Sequence, residues 1–405
     1  MLPSILNVNN YHFIRGGSDK YFIELTRLLI EHGHQVRTFT SQHEQDIEHG
    51  WKVSDLPMGV DTSGLGNIRN LVHFLYSTEA RNKIETGLSR FRPDIAHLHI
   101  YYGQLTASIL APLRKRGIPI VQTLHEFKPV CASHGLYSHG RFCNRCHGNA
   151  YWNALFEKCN RGSLPRTALS VAEAYISTLL GDKSLIDRFI AVSEYQRMQL
   201  MRLGMPGEKL RVVHHFTELA EKPPWEIGNY FLYVGRMVKE KGLTVLLNAY
   251  VKLKKPRPKL IFVGKGVDSG MIVREVEMLG LKNEVIFMGY QEGNAISDLY
   301  TNCICVINPS LLNETFGLTV LEALAHGRPV IASQIGALPE LITDNFTGLL
   351  VRPGRIDELT EAMEHMRENT AVARQMGHEG WNLVKLKYSK QAHYDKVRAI
   401  YQELL

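Results

Sequence analysis

The chain has 405 residues, room for two domains of ordinary size. Apolar residues make up 44% and charged residues 21%, which excludes a disordered or fibrous chain. The net charge of +7 is unevenly placed: residues 1–215 hold 25 Lys+Arg against 18 Asp+Glu, and the remainder holds 22 against 22. An anionic lipid, a pyrophosphate-bearing molecule or nucleic acid could meet such a basic half. No nucleic-acid motif accompanies the charge, so nucleic acid is not an expected partner. The one basic run, Arg114-Lys115-Arg116 beside Gly117, suits a helix C-terminus. The start, Met1–Asn10, shows no signal-peptide pattern and no apolar run is long enough to span a bilayer, so a cytoplasmic protein is expected. Six cysteines in that setting read as thiols or metal ligands rather than disulfides.

The first half alternates strands and helices. Ile5 to Asn9 is a strand that meets Arg15-Gly16-Gly17-Ser18, and Lys20 to Glu31 follows with helical spacing. Gln35 to Thr40, Asp94 to His99, Pro119 to His125 and Arg188 to Ser193 are further strands, with an apolar helix over Gly103 to Arg114. This is βαβ logic, with a parallel sheet buried on both faces. After Gly16 and Gly17 the next helix could aim amides at an anion, or the glycines make only a tight turn. The pattern is not G-x-G-x-x-G, so a nicotinamide cofactor is not expected. His125 ends a strand in T-L-H-E-F, where it could bond a sugar-like hydroxyl or serve as a satisfied core histidine. His97 and His99 read as structural. Residues 163–181 read as a weakly charged helix that either packs inside the first domain or rests on a membrane surface.

Cys131, Cys143, Cys146 and Cys159 fall in one segment, about 128–160, spaced C-x11-C-x2-C-x12-C, with little helix or strand signal between them. Four thiolates can close a structural zinc site; an iron–sulfur cluster and plain free thiols are the alternatives. Cys303 and Cys305 lie in an apolar strand and read as core.

The pattern restarts at Tyr230 to Gly235 and continues through Leu260 to Gly264, Val285 to Gly289, Cys303 to Ile307 and Pro329 to Ala332. Gly235-Arg236-Met237-Val238-Lys239-Glu240-Lys241-Gly242 leaves the first of these strands and opens a helix over Leu243 to Leu253. Arg236 and Lys241 could reach one phosphate there, or form a solvated basic turn. Between Asn308 and Glu340, Glu314 and Glu322 stand eight residues apart around Phe316-Gly317. Glu314 falls on a strand-to-helix loop and Glu322 about two turns into the helix Leu318 to Ala325. A glycine that admits a ligand, free helix N–H groups and two carboxylates describe a site for an anion flanked by hydroxyls, as in a sugar nucleotide.

Glu314 to Glu322 resembles the E-x7-E element of family-4 retaining glycosyltransferases, and Gly235 to Gly242 resembles their G-R-…-K-G donor signature. The resemblance spans nearly the whole chain and implies an α/β GT-B fold, two facing Rossmann-like doubly wound domains. It divides the chain into an acceptor-side domain at 1–215, a linker at 216–228 with Pro223-Pro224, a donor domain at 229–385 and a helix at 386–405 crossing back to the first domain. It further implies a nucleotide-sugar donor, with a UDP-sugar favoured, and a glycan or lipid-pyrophosphate-linked acceptor in polysaccharide or glycolipid synthesis. Peripheral contact with the inner membrane face through the basic half would follow. Arg236, Lys241, Glu314 and His125 would be catalytic, without a metal. Gly16, Gly17, Gly264, Tyr290, Phe316, Gly317, Leu318, Thr319 and Glu322 would bind donor. A nucleotide-sugar isomerase or epimerase of the same architecture, or a non-catalytic glycan- or nucleotide-binding protein, are the rival readings.

Overall fold

The computed structural model describes residues 2–46, 51–52, 68–222 and 226–405. The Pro223-Pro224 part of the expected linker lies outside them. Two compact units form: Met1–His214 together with Tyr394–Leu405, and His215–His393.

In the first unit β1 (Ile5–Val8), β2 (Val36–Thr40), β3 (Trp51–Lys52), β4 (Ile95–Leu98) and β5 (Ile120–Leu124) pair in parallel. After a small antiparallel ribbon, β6 (Tyr137–Ser138) with β7 (Arg141–Phe142), β8 (Arg188–Ala191) and β9 (Leu210–Val212) complete a sheet of order β3-β2-β1-β4-β5-β8-β9. All four residues of β1 and of β4 are buried, as strands covered on both faces require. The helix Gly17–Glu31 buries Tyr21, Phe22, Leu25, Leu28 and Leu29, one stripe at helical spacing. The second unit is a sheet of order β12-β11-β10-β13-β14-β15, built from β10 (Tyr230–Val234), β11 (Lys259–Val263), β12 (Val285–Gly289), β13 (Cys305–Asn308), β14 (Val330–Ser333) and β15 (Gly348–Val351). Every pairing in it is parallel. In each sheet the strand order reverses beside the first strand, between β1 and β4 and between β10 and β13. Doubly wound sheets take ligands at such switch points, outside the strand C-termini.

Three local expectations change. The helix expected over Gly103 to Arg114 is only Leu110–Lys115, after a 3-10 turn at Ala107–Ile109. Thr106 sits at φ 58, and its hydroxyl accepts from the N–H groups of Ser77 and Ser108, so the chain cannot coil earlier. The helix expected at 386–405 is two pieces: Thr370–Lys387 ends at Tyr388 and Lys390–Gln402 begins afresh. The cysteine segment is not bare, for it holds the β6–β7 ribbon and a short helix at Asn153–Glu157.

The last helix is held in the first unit by polar contacts. His34 donates from Nδ1 to the Pro3 carbonyl at 2.9 Å, so its Nε2 accepts from the Tyr394 hydroxyl at 3.0 Å. Tyr401 bonds His97 Nδ1 at 2.6 Å, and Glu403 pairs with Arg188 and Arg211.

The helix Leu164–Leu179 packs inward through Thr167, Ser170, Val171, Glu173, Ala174 and Ser177. Glu173 pairs there with Lys128, their side chains 2% and 5% exposed. Burial pushes nearby Asp182 up to about 6. Removing one member of a buried pair strands the other charge. Glu173→Ala should therefore lower unfolding free energy by about 3–5 kcal/mol, read from the denaturant midpoint. A change below about 1 kcal/mol would show that the pair is hydrated.

Candidate functional site

In the second unit the loops leaving β10 and β13 are zipped together. The Leu311 N–H donates to the Glu240 carbonyl at 2.8 Å. Gly242 adopts φ +72 against Pro309, whose carbonyl oxygen would lie 2.0 Å from a β-carbon. Across this seam Lys241 Nζ donates to Glu314 Oε1 at 2.5 Å, with side chains 17% and 13% exposed. Glu314 is clamped from behind. Its carbonyl accepts the Ala337 N–H at 2.9 Å, and a β-carbon on Gly336 (φ +61) would meet its backbone at 2.5 Å. The two residues, 73 positions apart, thus meet at the switch point.

Arg236 is exposed on the same loop, and no carboxylate pairs with it among the described residues. Gly317 starts the helix Leu318–Ala325 at φ +112 with no side-chain cap, so the first-turn amides, Leu318 and Thr319 among them, point outward with the positive end of the helix. Glu322 lies further along, and the buried Tyr300 hydroxyl donates to its Oε2 at 2.8 Å. The Phe316 ring is 3% exposed and packs on His215 and Tyr388, so it is the backbone amide that is left to serve a ligand, the contact expected of it. Gly264 donates its N–H to the Gly289 carbonyl at 2.7 Å, and its Cα lies so close to Gly235 that a β-carbon would meet that carbonyl oxygen at 2.1 Å. Tyr290, just beyond β12, is 53% exposed.

The first unit holds the other expected residues. Gly16 caps the helix Gly17–Glu31 in extended backbone with open space around it, so the fold alone does not demand glycine there. In that first turn sits Asp19, a carboxylate the sequence reading passed over. It accepts from Asn9 Nδ2 at 3.0 Å and from the Arg15 N–H at 3.2 Å, and burial raises its pKa. An anion at this turn would meet that buried acid.

His125 ends a relay invisible in the sequence. Thr26 donates its hydroxyl to the Phe22 carbonyl at 2.8 Å, so its oxygen accepts from Asn7 Nδ2 at 2.8 Å. Asn7 Oδ1 must then accept from His99 Nε2–H, 2.8 Å away. Desolvation pushes His125 down to about 4, keeping it neutral at pH 7. The 3.1 Å bond between the two rings then runs from His125 Nε2–H to His99 Nδ1, and His125 Nδ1 carries a lone pair. Behind it, Glu126 bonds His134 Nδ1 at 2.5 Å.

The Glycosyltransferase Family 4 profile matches residues 15–221, and Glycosyl transferases group 1 matches 216–382. The chain belongs to glycosyltransferase family 4. This glycosyltransferase is 30% identical over 383 residues to an uncharacterized glycosyltransferase of Methanocaldococcus jannaschii, covering 87% of this chain and 85% of that one. It is 29% identical to a D-inositol 3-phosphate glycosyltransferase of Actinosynnema mirum, covering 96% and 94%. Its GT-B fold is shared with Anabaena HepE in complex with UDP and glucose (TM-score 0.70, 17% identity, 99% and 100% covered). Sucrose-phosphate synthase of Thermosynechococcus elongatus shares it too (TM-score 0.73, 20% identity, 99% of each chain).

Among the described residues no helix of the glycosyltransferase is long and apolar enough to cross a membrane. Among the described residues, no group of three or more His, Cys, Asp or Glu stands close enough together to hold a metal ion.

The relay makes a prediction about the glycosyltransferase in solution. Histidine 15N spectra should show His125 with Nδ1 unprotonated and Nε2 protonated from pH 8 to about 5. Because its folded pKa lies below the ordinary value near 6.5, stability from this residue is complete above about pH 6.5 and falls on acidification toward about 4. Titration of His125 near pH 6.5 would contradict the relay.

Proposed function

We propose that the protein is a retaining, metal-independent glycosyltransferase that moves a sugar from a nucleoside-diphosphate sugar, with a UDP-sugar favoured, to a hydroxyl of a glycan or lipid-linked acceptor. The Lys241–Glu314 contact at the β10/β13 switch point carries the reading, because it joins a cation for the diphosphate to a carboxylate for the sugar. Arg236 and Lys241 would offset the charge that grows on the leaving diphosphate. Glu314 would support positive charge at the anomeric carbon, and Glu322, oriented by Tyr300, would take the ribose hydroxyls. The outward amides of Gly317, Leu318 and Thr319 would hold phosphate and sugar oxygens.

In this reaction the acceptor oxygen bonds the anomeric carbon on the face from which the diphosphate departs. The bond from that carbon to the phosphate oxygen breaks, and the β-phosphate takes the acceptor's proton. No side chain needs to be a strong base. Two cations and a helix N-terminus supply the charge a metal would otherwise supply, and no D-x-D pair lies near these elements. His125 Nδ1 would accept a hydrogen bond from a sugar hydroxyl. Gly16 and Gly17 would serve through their backbone, Gly264 and Tyr290 at the nucleotide.

Arg236→Ala should lose about 2–4 kcal/mol of transition-state stabilisation in kcat/KM at unchanged melting temperature. Glu314→Gln should lower kcat far more than donor affinity. Full kcat/KM in Arg236→Ala would remove the diphosphate role. A thermal-shift screen over UDP, GDP, ADP and their sugars identifies the base, since a ligand at 100 times its Kd adds about 2.7 kcal/mol. Mass detection of a lengthened acceptor separates transfer from rearrangement of the donor.

The basic excess of residues 1–215 supports an anionic acceptor, and with it a peripheral position on the inner membrane face. The chain should sediment with anionic liposomes at low salt and be released at high salt. Absence of binding at low salt, with good turnover of a soluble acceptor, would place the reaction away from the membrane.

A further inference from the structure

The insertion after His125 has an unusual economy. Among the described residues, eight non-glycine positions adopt positive φ, and six of them, His134, Leu136, His139, Asn149, Lys158 and Arg161, crowd into residues 134–161. Each left-handed non-glycine residue costs on the order of 1 kcal/mol and persists only where its surroundings over-determine it. The apolar cluster inside the segment is small: Ala132, Cys146, Tyr151 and Ala154, with Val171 and Ala174 of the following helix. Beyond that cluster, only Val130, Cys131 and Leu136 of the segment reach the larger core of the unit, which is little to hold so much strained backbone.

The four cysteines, far apart in sequence, line one pocket together with Ser133, Leu136 and Tyr137. All are free thiols, and Cys131 and Cys146 are each only 7% exposed. Cys143 and Cys146 follow the β6–β7 ribbon directly with two residues between them, the spacing of a metal knuckle. Polar groups already face two of the sulfurs: the Ala132 N–H points at Cys146, and the Ser133 hydroxyl lies 3.4 Å from Cys131. Hydrogen-bond donors of this kind surround metal-bound thiolates and stabilise their charge. Two of the four thiols are buried and two are half-buried, and nothing else in the pocket calls for them.

We propose that Cys131, Cys143, Cys146 and Cys159 bind one structural zinc ion, which staples the insertion. The sulfurs surround the pocket without yet standing at ligand distance, so the site closes on its ion as the thiols lose their protons and draw in to about 2.3 Å. The staple would reach the reaction through two contacts. The Phe127 N–H donates to the His134 carbonyl at 2.9 Å, and Glu126 bonds the His134 ring, so the insertion fixes the chain immediately after His125. The helix Leu164–Leu179, whose Val171 and Ala174 cover the insertion, also carries Glu173 to Lys128.

The test uses the full chain, purified without chelator and incubated with zinc. Elemental analysis should find about one zinc per chain, released stoichiometrically when a mercurial blocks the thiols. Chelation should expose residues 128–160 first to limited proteolysis. The double variant Cys143→Ser, Cys146→Ser should retain less than a tenth of the zinc. Because that variant could fail to fold, the unaltered chain loaded with cobalt gives an independent reading: sulfur-to-cobalt charge-transfer and tetrahedral d–d bands should appear. Zinc at background with no cobalt bands overturns the proposal. So does iron with acid-labile sulfide, or disulfide-linked peptides joining these cysteines in non-reduced digests.

Discussion

The second unit depends on one ion pair held by backbone. Lys241 closes a 3-10 turn after β10, and Glu314 stands on the loop after β13, 73 positions away. The Glu240–Leu311 hydrogen bond and the close approach of Gly242 to Pro309 join the two loops, and Gly336 presses on the back of Glu314. A β-carbon at either glycine would force these loops apart. The paired charges are mostly shielded from water, so each is stronger on an incoming ligand than it would be on the surface.

The same geometry occurs in the first unit with different chemistry. There the switch point between β1 and β4 is lined by Asn7, His99 and, one strand further, His125. There a chain of neutral hydrogen bonds sets which ring nitrogen bears a proton. One unit thus offers charge and the other offers direction, both from strand C-termini where βα loops begin.

Much of this was legible in the sequence because it is local. The buried strands, the Arg236-to-Gly242 turn and the Glu314-to-Glu322 spacing are written in contiguous residues, and so was the family. What escaped was long-range pairing. The Tyr300 hydroxyl that orients Glu322 stands 22 positions before it, and Asn7, inside the first strand, gives its two ends to Thr26 and His99. Asp19 was hidden by the glycines before it. Glu173 made its helix look merely weakly charged, and the Lys128 that neutralises it is 45 residues away. The late start at Ala107 comes from the Thr106 hydroxyl answering Ser77, 29 positions away, which periodicity does not record.

The return of residues 394–405 to the first unit has a consequence for how such a chain can be rearranged. The amino-terminal unit is encoded in two separate stretches, with the whole of the other unit inserted between them. His34, His97, Arg188 and Arg211 all take partners from the last dozen residues. A gene exchange with a single crossover after residue 214 would therefore join a sheet to a tail drawn from another lineage. Chimaeras that trade specificity between relatives must keep both ends of one parent and swap only the middle. The carboxy terminus descends with the amino terminus, as two halves of one heritable module.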